Sequence, residues 1–432
     1  MAKIVFSTFG SFGDVHPYVA IALELKARGH RPLIATTEIY REKMDALGLE
    51  FHPVRPDVPS YDEPDRVASM IEKVMDARTG TEEVFKTFIL PHLRDSYDDL
   101  SAAVRGADLL VTHPLSFSAV LVAERTGIEW VSSVLAPGSM LSVYDPPVPP
   151  QLPALHGLMT LHPLIGSALM RLGRWKWGGL WKAVNRLRAD LGLPPAKAHP
   201  LFEGQHSPTL VLALFSRVLA EPQPDWPPHT RITGFPFYDR RDFAGDERDG
   251  RLSPELKNFL DAGDAPIVFT LGSSAIWVAR DFYRESIQAA RALGRRALLL
   301  IGHERNRPAE PLPEGIAAFE YAPYSEVLPR AAVVVHQGGV GTTGQTLRSG
   351  RAALVVPFSH DQFDNAERAA RLGCARWLAR GRYNAASATR ELRAILADES
   401  YQRGATETAR HVHGEDGARA ACNALEEMLA RK

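Results

Sequence analysis

Cysteine is almost missing: Cys374 and Cys422 are the only two in 432 residues. A disulfide framework is therefore excluded as the source of stability. Net charge is almost missing too, with 50 Lys and Arg against 51 Asp and Glu and a formal charge of −1. Without a global positive field, a nucleic-acid partner is not expected. No apolar run approaches the ~18 residues of a membrane-spanning helix. The chain opens on the strand-like KIVFSTF, without the basic segment, apolar stretch and small-residue cleavage site of a secretory leader. The expectation is a cytoplasmic protein. No Asp-x-Asp pair closes a strand-like run, so a divalent metal is not expected. The acidic cluster 242–249 sits in a Gly-containing charged stretch and reads as solvated charge.

What is abundant is alternation. Apolar strand-like runs alternate with helix-like segments, the pattern of a parallel α/β sheet. The first half shows IVFSTF, an amphipathic segment over 17–28 closed by Gly29, RPLIATT, DLLVT and WVSSV. The second half shows PIVFTLG, ALLLI, AVVVH and AALVVP. The first strand of each half ends alike, in Thr8-Phe9-Gly10-Ser11 and Thr270-Leu271-Gly272-Ser273. A Pro-rich and charged stretch over 220–265 separates the halves. The length permits two or three domains. The spacing predicts two, 1–235 and 236–432.

The densest chemistry lies between His336 and Asn365, HQGGVGTTGQTLRSGRAALVVPFSHDQFDN. A strand-like run ends in His336. Gly338, Gly339 and Gly341 then make a turn, and Thr342 and Thr343 open a helix-like segment. A helix N-terminus offers unpaired N–H groups and partial positive charge, which together favour a phosphate. Ser273 and Ser274 can cap a helix or add hydroxyls to the same anion. Asp361 and Gln362 follow the next strand, and a carboxylate with an amide suits sugar hydroxyls. Phosphate at one end and polyol at the other suggest a nucleotide-sugar.

These residues carry a resemblance. The chain resembles the glycosyltransferases of the large family that includes plant secondary-product, macrolide, vancomycin-type and sterol enzymes. The H-x-G-G-x-G-T core matches at His336, Gly338, Gly339, Gly341 and Thr342. The P-x-x-x-D-Q-x-x-N-A block matches at Pro357, Asp361, Gln362, Asn365 and Ala366. The opening GSFGDVHP is similar to the family's first loop, and HDQFDNAER is shared with rhamnolipid-type rhamnosyltransferases. The resemblance implies a GT-B fold, two doubly wound Rossmann-like domains facing a cleft. The first would bind the acceptor and the second the donor, with a final helix near 416–431 packing back on the first domain. It implies that His336 contacts the diphosphate, that Tyr321 in Tyr321-Ala322-Pro323 stacks the base, and that configuration inverts. It implies a dTDP-rhamnose-like donor or UDP-glucose. The nucleotide-sugar is a co-substrate, and no cofactor is expected.

Transfer needs a base for the acceptor hydroxyl. The family usually places a His in the first loop, whereas this chain has Asp14, as in the vancomycin-type and sterol enzymes. Asp14 is the expected base and His16 the alternative; Asp14 could instead cap a helix starting near Pro17. His113 ends the run DLLVTH and is expected either to pair with Asp14 or to line the acceptor pocket. Met140, Tyr144 and Trp175 fall in an apolar region over 138–186, which fits an apolar acceptor such as a lipid or polyphenol-like natural product. Within it, RLGRWKWGGLWKAVNRLR mixes Arg and Lys with Trp and Leu and allows a weak membrane-surface contact. Gly178-Gly179 would weaken a helix there. A nucleotide-sugar epimerase of the same two-domain shape is the alternative function.

Overall fold

The computed structural model describes residues 1–60, 62–240, 251–308 and 311–431. The acidic cluster 242–249 lies outside the described residues. The chain divides into two compact units. Unit 1 holds Met1–Val67, Arg78–Tyr238 and the residues from Asp416 on; unit 2 holds Ala68–Ala77 and Asp239–Glu415. The chain thus crosses between units at Tyr238 and returns at Asp416, and a short stretch from the first half belongs to the second unit.

Unit 1 is built on seven strands: β1 (Lys3–Ser7), β2 (Arg31–Thr36), β3 (Glu50–Pro53), β4 (Leu109–Thr112), β5 (Glu129–Val134), β6 (Val211–Ala213) and β7 (Thr230–Ile232). All pairings are parallel, in the order β3-β2-β1-β4-β5-β6-β7. Ile4, Val5 and Phe6 of β1 are wholly buried, because helices cover both faces of such a sheet. Each such side chain contributes roughly 1.5–3 kcal/mol by leaving water. The first helix spans Phe12–Ala27. It begins five residues before the segment read from the sequence. Ser11 is its N-cap, and Ser11 and Asp14 form a reciprocal capping box. Pro17 is therefore inside the helix and does not start it. The last helix, Gly417–Leu429, lies in unit 1, where Glu426 pairs with Arg28 at 2.7 Å and with His30 at 3.2 Å.

Unit 2 repeats the plan with β8 (Ile267–Thr270), β9 (Ala297–Leu300), β10 (Ile316–Phe319), β11 (Val333–His336), β12 (Ala353–Val355) and β13 (Ala375–Trp377). The order is β10-β9-β8-β11-β12-β13, again all parallel. In both sheets the strand order reverses beside the first strand, between β1 and β4 and between β8 and β11. Open α/β sheets bind ligands at such a point, outside the carboxyl ends of the strands. The repeated Thr-x-Gly-Ser therefore marks equivalent places in two sheets of one topology. Cys374 and Cys422 are both free and buried, and burial pushes each thiol up to about 12.

Candidate active site

At the reversal point of unit 2, β11 delivers His336 into the interior, 1% exposed. Its Nδ1 accepts the Gly338 N–H at 3.1 Å, so the ring proton of the neutral imidazole sits on Nε2. Burial lowers its pKa to about 3, because a low-dielectric site disfavours the imidazolium. The group therefore stays a neutral N–H donor at physiological pH.

Gly338 allows the chain to turn. Its φ is +88°, and a Cβ there would lie 2.8 Å from the Gln362 carbonyl and 2.9 Å from a Val355 methyl. Helix Val340–Ser349 starts two residues on, with Gly339 as N-cap and no side-chain cap. Its first-turn N–H groups thus lack intrahelical acceptors, and the space around Gly341 is open. Thr342 and Thr343 turn inward instead. Thr342 Oγ1 lies 3.3 Å from the donating Gln337 Nε2, and Thr343 is 1% exposed. The Thr343 hydroxyl is buried with no hydrogen-bond partner among the described residues. Ser273 and Ser274, after β8, make no side-chain hydrogen bond among the described residues, and Ser274 does not cap the 3-10 turn behind it. Their hydroxyls remain available.

The polar pair after β12 is divided. Asp361 is half-buried at the N-cap of helix Gln362–Arg371, and its Oδ2 accepts from Asn365 Nδ2 at 2.7 Å. Gln362 is buried, and its side-chain Oε1 accepts the N–H groups of Phe358 and Ser359 at 2.8 and 3.2 Å. Only its amide NH2 is left for a ligand. Tyr321 is half-buried after β10, and its hydroxyl donates to the Asp239 carbonyl. Ala322 packs its methyl into the core with Val268 and Val334, so it presents backbone only. Sequence reasoning missed two organisers. Asn365, 0% exposed, also donates to the Gly338 carbonyl at 2.9 Å. Gln337, buried, fits its amide against Gly272 and Gly339. Both stand inside the quoted motifs, but nothing in the motifs says that they face inward.

At the reversal point of unit 1, Asp14 and His113 come together. His113 directly follows β4, with its side chain 3% exposed; its Nε2 is 3.4 Å from Asp14 Oδ1. The Leu115 N–H donates to its Nδ1 at 3.1 Å, which again leaves the proton on Nε2, facing the carboxylate. Asp14 Oδ2 accepts the Ser11 N–H at 2.8 Å and the Ser11 hydroxyl at 3.2 Å. A third of the Asp14 side chain remains exposed. Gly10 makes room for it: at φ +134°, a Cβ there would stand 2.3 Å from Asp14 Oδ2. His16 points elsewhere. Its Nδ1 lies 3.1 Å from the Tyr238 carbonyl, and its ring packs on Phe12 and Tyr238 at centroid distances of 5.0 and 5.3 Å.

The three acceptor candidates differ in exposure. Met140 is buried, Tyr144 is half exposed, and Trp175 is 80% exposed on helix Pro163–Lys176. A cavity of about 30 Å³ in unit 1 is lined instead by residues such as Phe9, Arg55, Phe88, Ser96 and Ser116. Among the described residues no three His, Cys, Asp or Glu side chains cluster as metal ligands. No helix among them is long and apolar enough to cross a membrane.

Residues 4–144 match the glycosyltransferase family 28 N-terminal domain. Residues 287–428 match the erythromycin biosynthesis protein CIII-like C-terminal domain. The chain is 31% identical to the O-mycaminosyltylonolide 6-deoxyallosyltransferase of Streptomyces fradiae, over 98% of this chain and 97% of that one. It is 28% identical to the vancomycin aglycone glucosyltransferase of Amycolatopsis orientalis, over 86% and 84%. Fungal sterol 3-beta-glucosyltransferases also match, and the chain spans about a quarter of their length. In fold it is similar to the glycosyltransferase VinC, solved in complex with dTDP. The TM-score is 0.67 at 17% identity, with all of both chains covered.

Proposed function

The chain belongs to the glycosyltransferases that join a family 28 N-terminal domain to an erythromycin biosynthesis protein CIII-like C-terminal domain, and on that premise we propose an inverting, metal-independent reaction on an apolar acceptor. Unit 2 holds the donor, a nucleoside-diphosphate sugar. Its diphosphate lies against His336 Nε2–H and the first turn of helix Val340–Ser349. The base stacks on Tyr321, and the Asp361 carboxylate with the Gln362 NH2 receives sugar hydroxyls. Unit 1 holds the base. Asp14 takes the proton from the acceptor hydroxyl as that oxygen attacks the anomeric carbon. The bond to the diphosphate breaks on the opposite face, so configuration inverts. His113 Nε2–H fixes the carboxylate and offsets its charge before transfer.

The observation that carries this reading is the neutral, buried His336 presenting a fixed N–H beside an uncapped helix start. Negative charge grows on the diphosphate as it leaves, and fixed donors stabilise it without a cation. The deoxyallosyl donor named for the Streptomyces relative and the dTDP named for VinC favour a dTDP-deoxysugar over UDP-glucose. The names of the tylonolide and vancomycin relatives favour a natural-product acceptor. The epimerase alternative gains no support from these relatives.

The test is a panel of dTDP- and UDP-sugars against apolar hydroxylated acceptors, read by mass spectrometry with and without EDTA. A sugar mass added to the acceptor, unaffected by EDTA and with inverted anomeric configuration by NMR, is expected. Donor conversion without transfer would overturn the reading in favour of epimerisation. Activity lost to EDTA and restored by Mg²⁺ would remove its metal-independent part.

A further inference from the structure

Helix Pro163–Lys176 is packed the opposite way from an ordinary surface helix. Such helices bury their apolar stripe. Here the inward face is glycine. Gly166 is buried against Val143, where an added Cβ would meet side chain and carbonyl at 3.4 Å, and Gly173 faces the Phe202 ring at 3.5 Å. The apolar stripe faces out. Leu164 is 71% exposed, Leu172 59% and Trp175 80%, with Ile165 at 38% between them. Spacings of three, seven, eight and eleven residues put these on one side of the helix. Leu158 and Leu161, 51% and 69% exposed, continue the patch just before it.

The charge around this stripe is one-sided. From Pro146 to Ala189 the chain has six Arg and Lys (Arg171, Arg174, Lys176, Lys182, Arg186 and Arg188) and no Asp or Glu, although the whole protein carries a net charge of −1. Arg174, Lys176 and the buried Arg188 are balanced by Glu203, Glu82 and Glu124. Arg171, exposed beside Leu172, has no ion pair among the described residues.

We propose that this face docks on an anionic lipid bilayer. Leu164, Leu172 and Trp175 enter the boundary between headgroups and acyl chains, and Arg171 meets lipid phosphate. An amphipathic helix with Trp and Leu on one side and basic residues beside them binds by buried apolar area plus attraction to anionic lipid. Fourteen residues reach about 21 Å, short of the ~30 Å hydrocarbon core, so the helix lies in the interface and does not span it. A second copy of the chain is disfavoured as occupant. A two-fold contact would set Arg171, which has no ion pair among the described residues, and its basic neighbours against their own copies. The docking does not depend on which acceptor the enzyme uses.

The test is co-sedimentation of the full chain with phosphatidylcholine vesicles and with mixed phosphatidylcholine–phosphatidylglycerol vesicles. Binding to the mixed vesicles, weak on phosphatidylcholine alone and falling as NaCl rises, is expected. Leu172→Ser with Trp175→Ser should weaken it by about tenfold or more. Arg171→Ala should weaken it about fivefold, the equivalent of ~1 kcal/mol for one basic residue at the surface. Unchanged circular dichroism and melting temperature would show that these exposed changes leave the fold intact. Failure of the wild type to sediment with the mixed vesicles, or equal binding by the double variant, would overturn the proposal. A concentration-dependent dimer without vesicle binding, lost in the double variant, would assign the face to a second copy.

Discussion

His336 is tied to two different bonds, and substitutions can separate them. In His336→Ala the Gly338 N–H loses its acceptor at 3.1 Å. A buried donor left unpaired costs about 1–3 kcal/mol of stability. The diphosphate loses the Nε2–H donor, and a hydrogen bond to a charged group contributes about 1.5–3 kcal/mol. At ~1.4 kcal/mol per tenfold, nucleoside-diphosphate affinity should fall about 10- to 150-fold. The helix start contributes only about 0.3–2 kcal/mol, so it should not restore the loss. His336→Asn divides the two effects. Its amide oxygen can replace Nδ1 as acceptor for Gly338, but its shorter side chain places no donor where Nε2–H stands. It should keep most of the stability and still bind poorly. Calorimetric titration with thymidine and uridine diphosphates, beside urea unfolding, reads both quantities. An alanine variant that binds within about twofold of wild type, on the scale of that ~1.4 kcal/mol per tenfold, would refute the reasoning. So would an asparagine variant that binds normally.

Four further expectations follow from the structure. Asp14→Asn should lower kcat by roughly 10²–10⁴-fold while sparing nucleotide affinity; near-normal turnover, with His16→Ala inactive, would move the base to His16. His113→Ala should be non-additive with Asp14→Asn in a double-mutant cycle, and independent effects would leave His113 as a pocket residue. Gly10→Ala should mimic Asp14→Asn, since the new Cβ would take the place of Asp14 Oδ2, and full activity in that variant would contradict the placement of the carboxylate. Stability should decline as pH falls from about 6.5 toward 3. Burial holds His336 at about 3 and His206 at about 4, whereas an unfolded His takes up its proton near ~6.5. The depressed folded values favour the native state fully above that pH and progressively less below it. Equal urea midpoints at pH 7 and pH 5 would show that these histidines do not carry the effect.

The strands legible in the sequence are the central ones. β1, β2, β4, β5, β8, β9, β11 and β12 are buried runs of four to six residues or their near equivalents, and a strand covered on both faces must be apolar throughout. The edge strands β3, β7, β10 and β13 escaped notice, as did β6, an internal and buried strand of only three residues. They are three or four residues long, and partly exposed sequences such as EFHP, TRI and ARW have no such pattern. The start of the first helix was obscured by Pro17, because proline usually opens a helix. Only the reciprocal Ser11–Asp14 bonds show the earlier start.

For the candidate site, the sequence by itself determined the residue types and the local turns. His336, the glycines and the helix start lie within a few positions of one another, so their chemistry is a local property of the chain. Tertiary structure decided direction and pairing. It turned Thr342 and the Gln362 side-chain Oε1 inward, buried Ala322, and joined Asn365 to both Gly338 and Asp361. It set His113 beside Asp14 across 99 positions of sequence. It also turned the leucines and tryptophan of helix Pro163–Lys176 outward by placing Gly166 and Gly173 against the body. Periodicity gives a helix an apolar face, but the direction in which that face points depends on what the opposite face packs against.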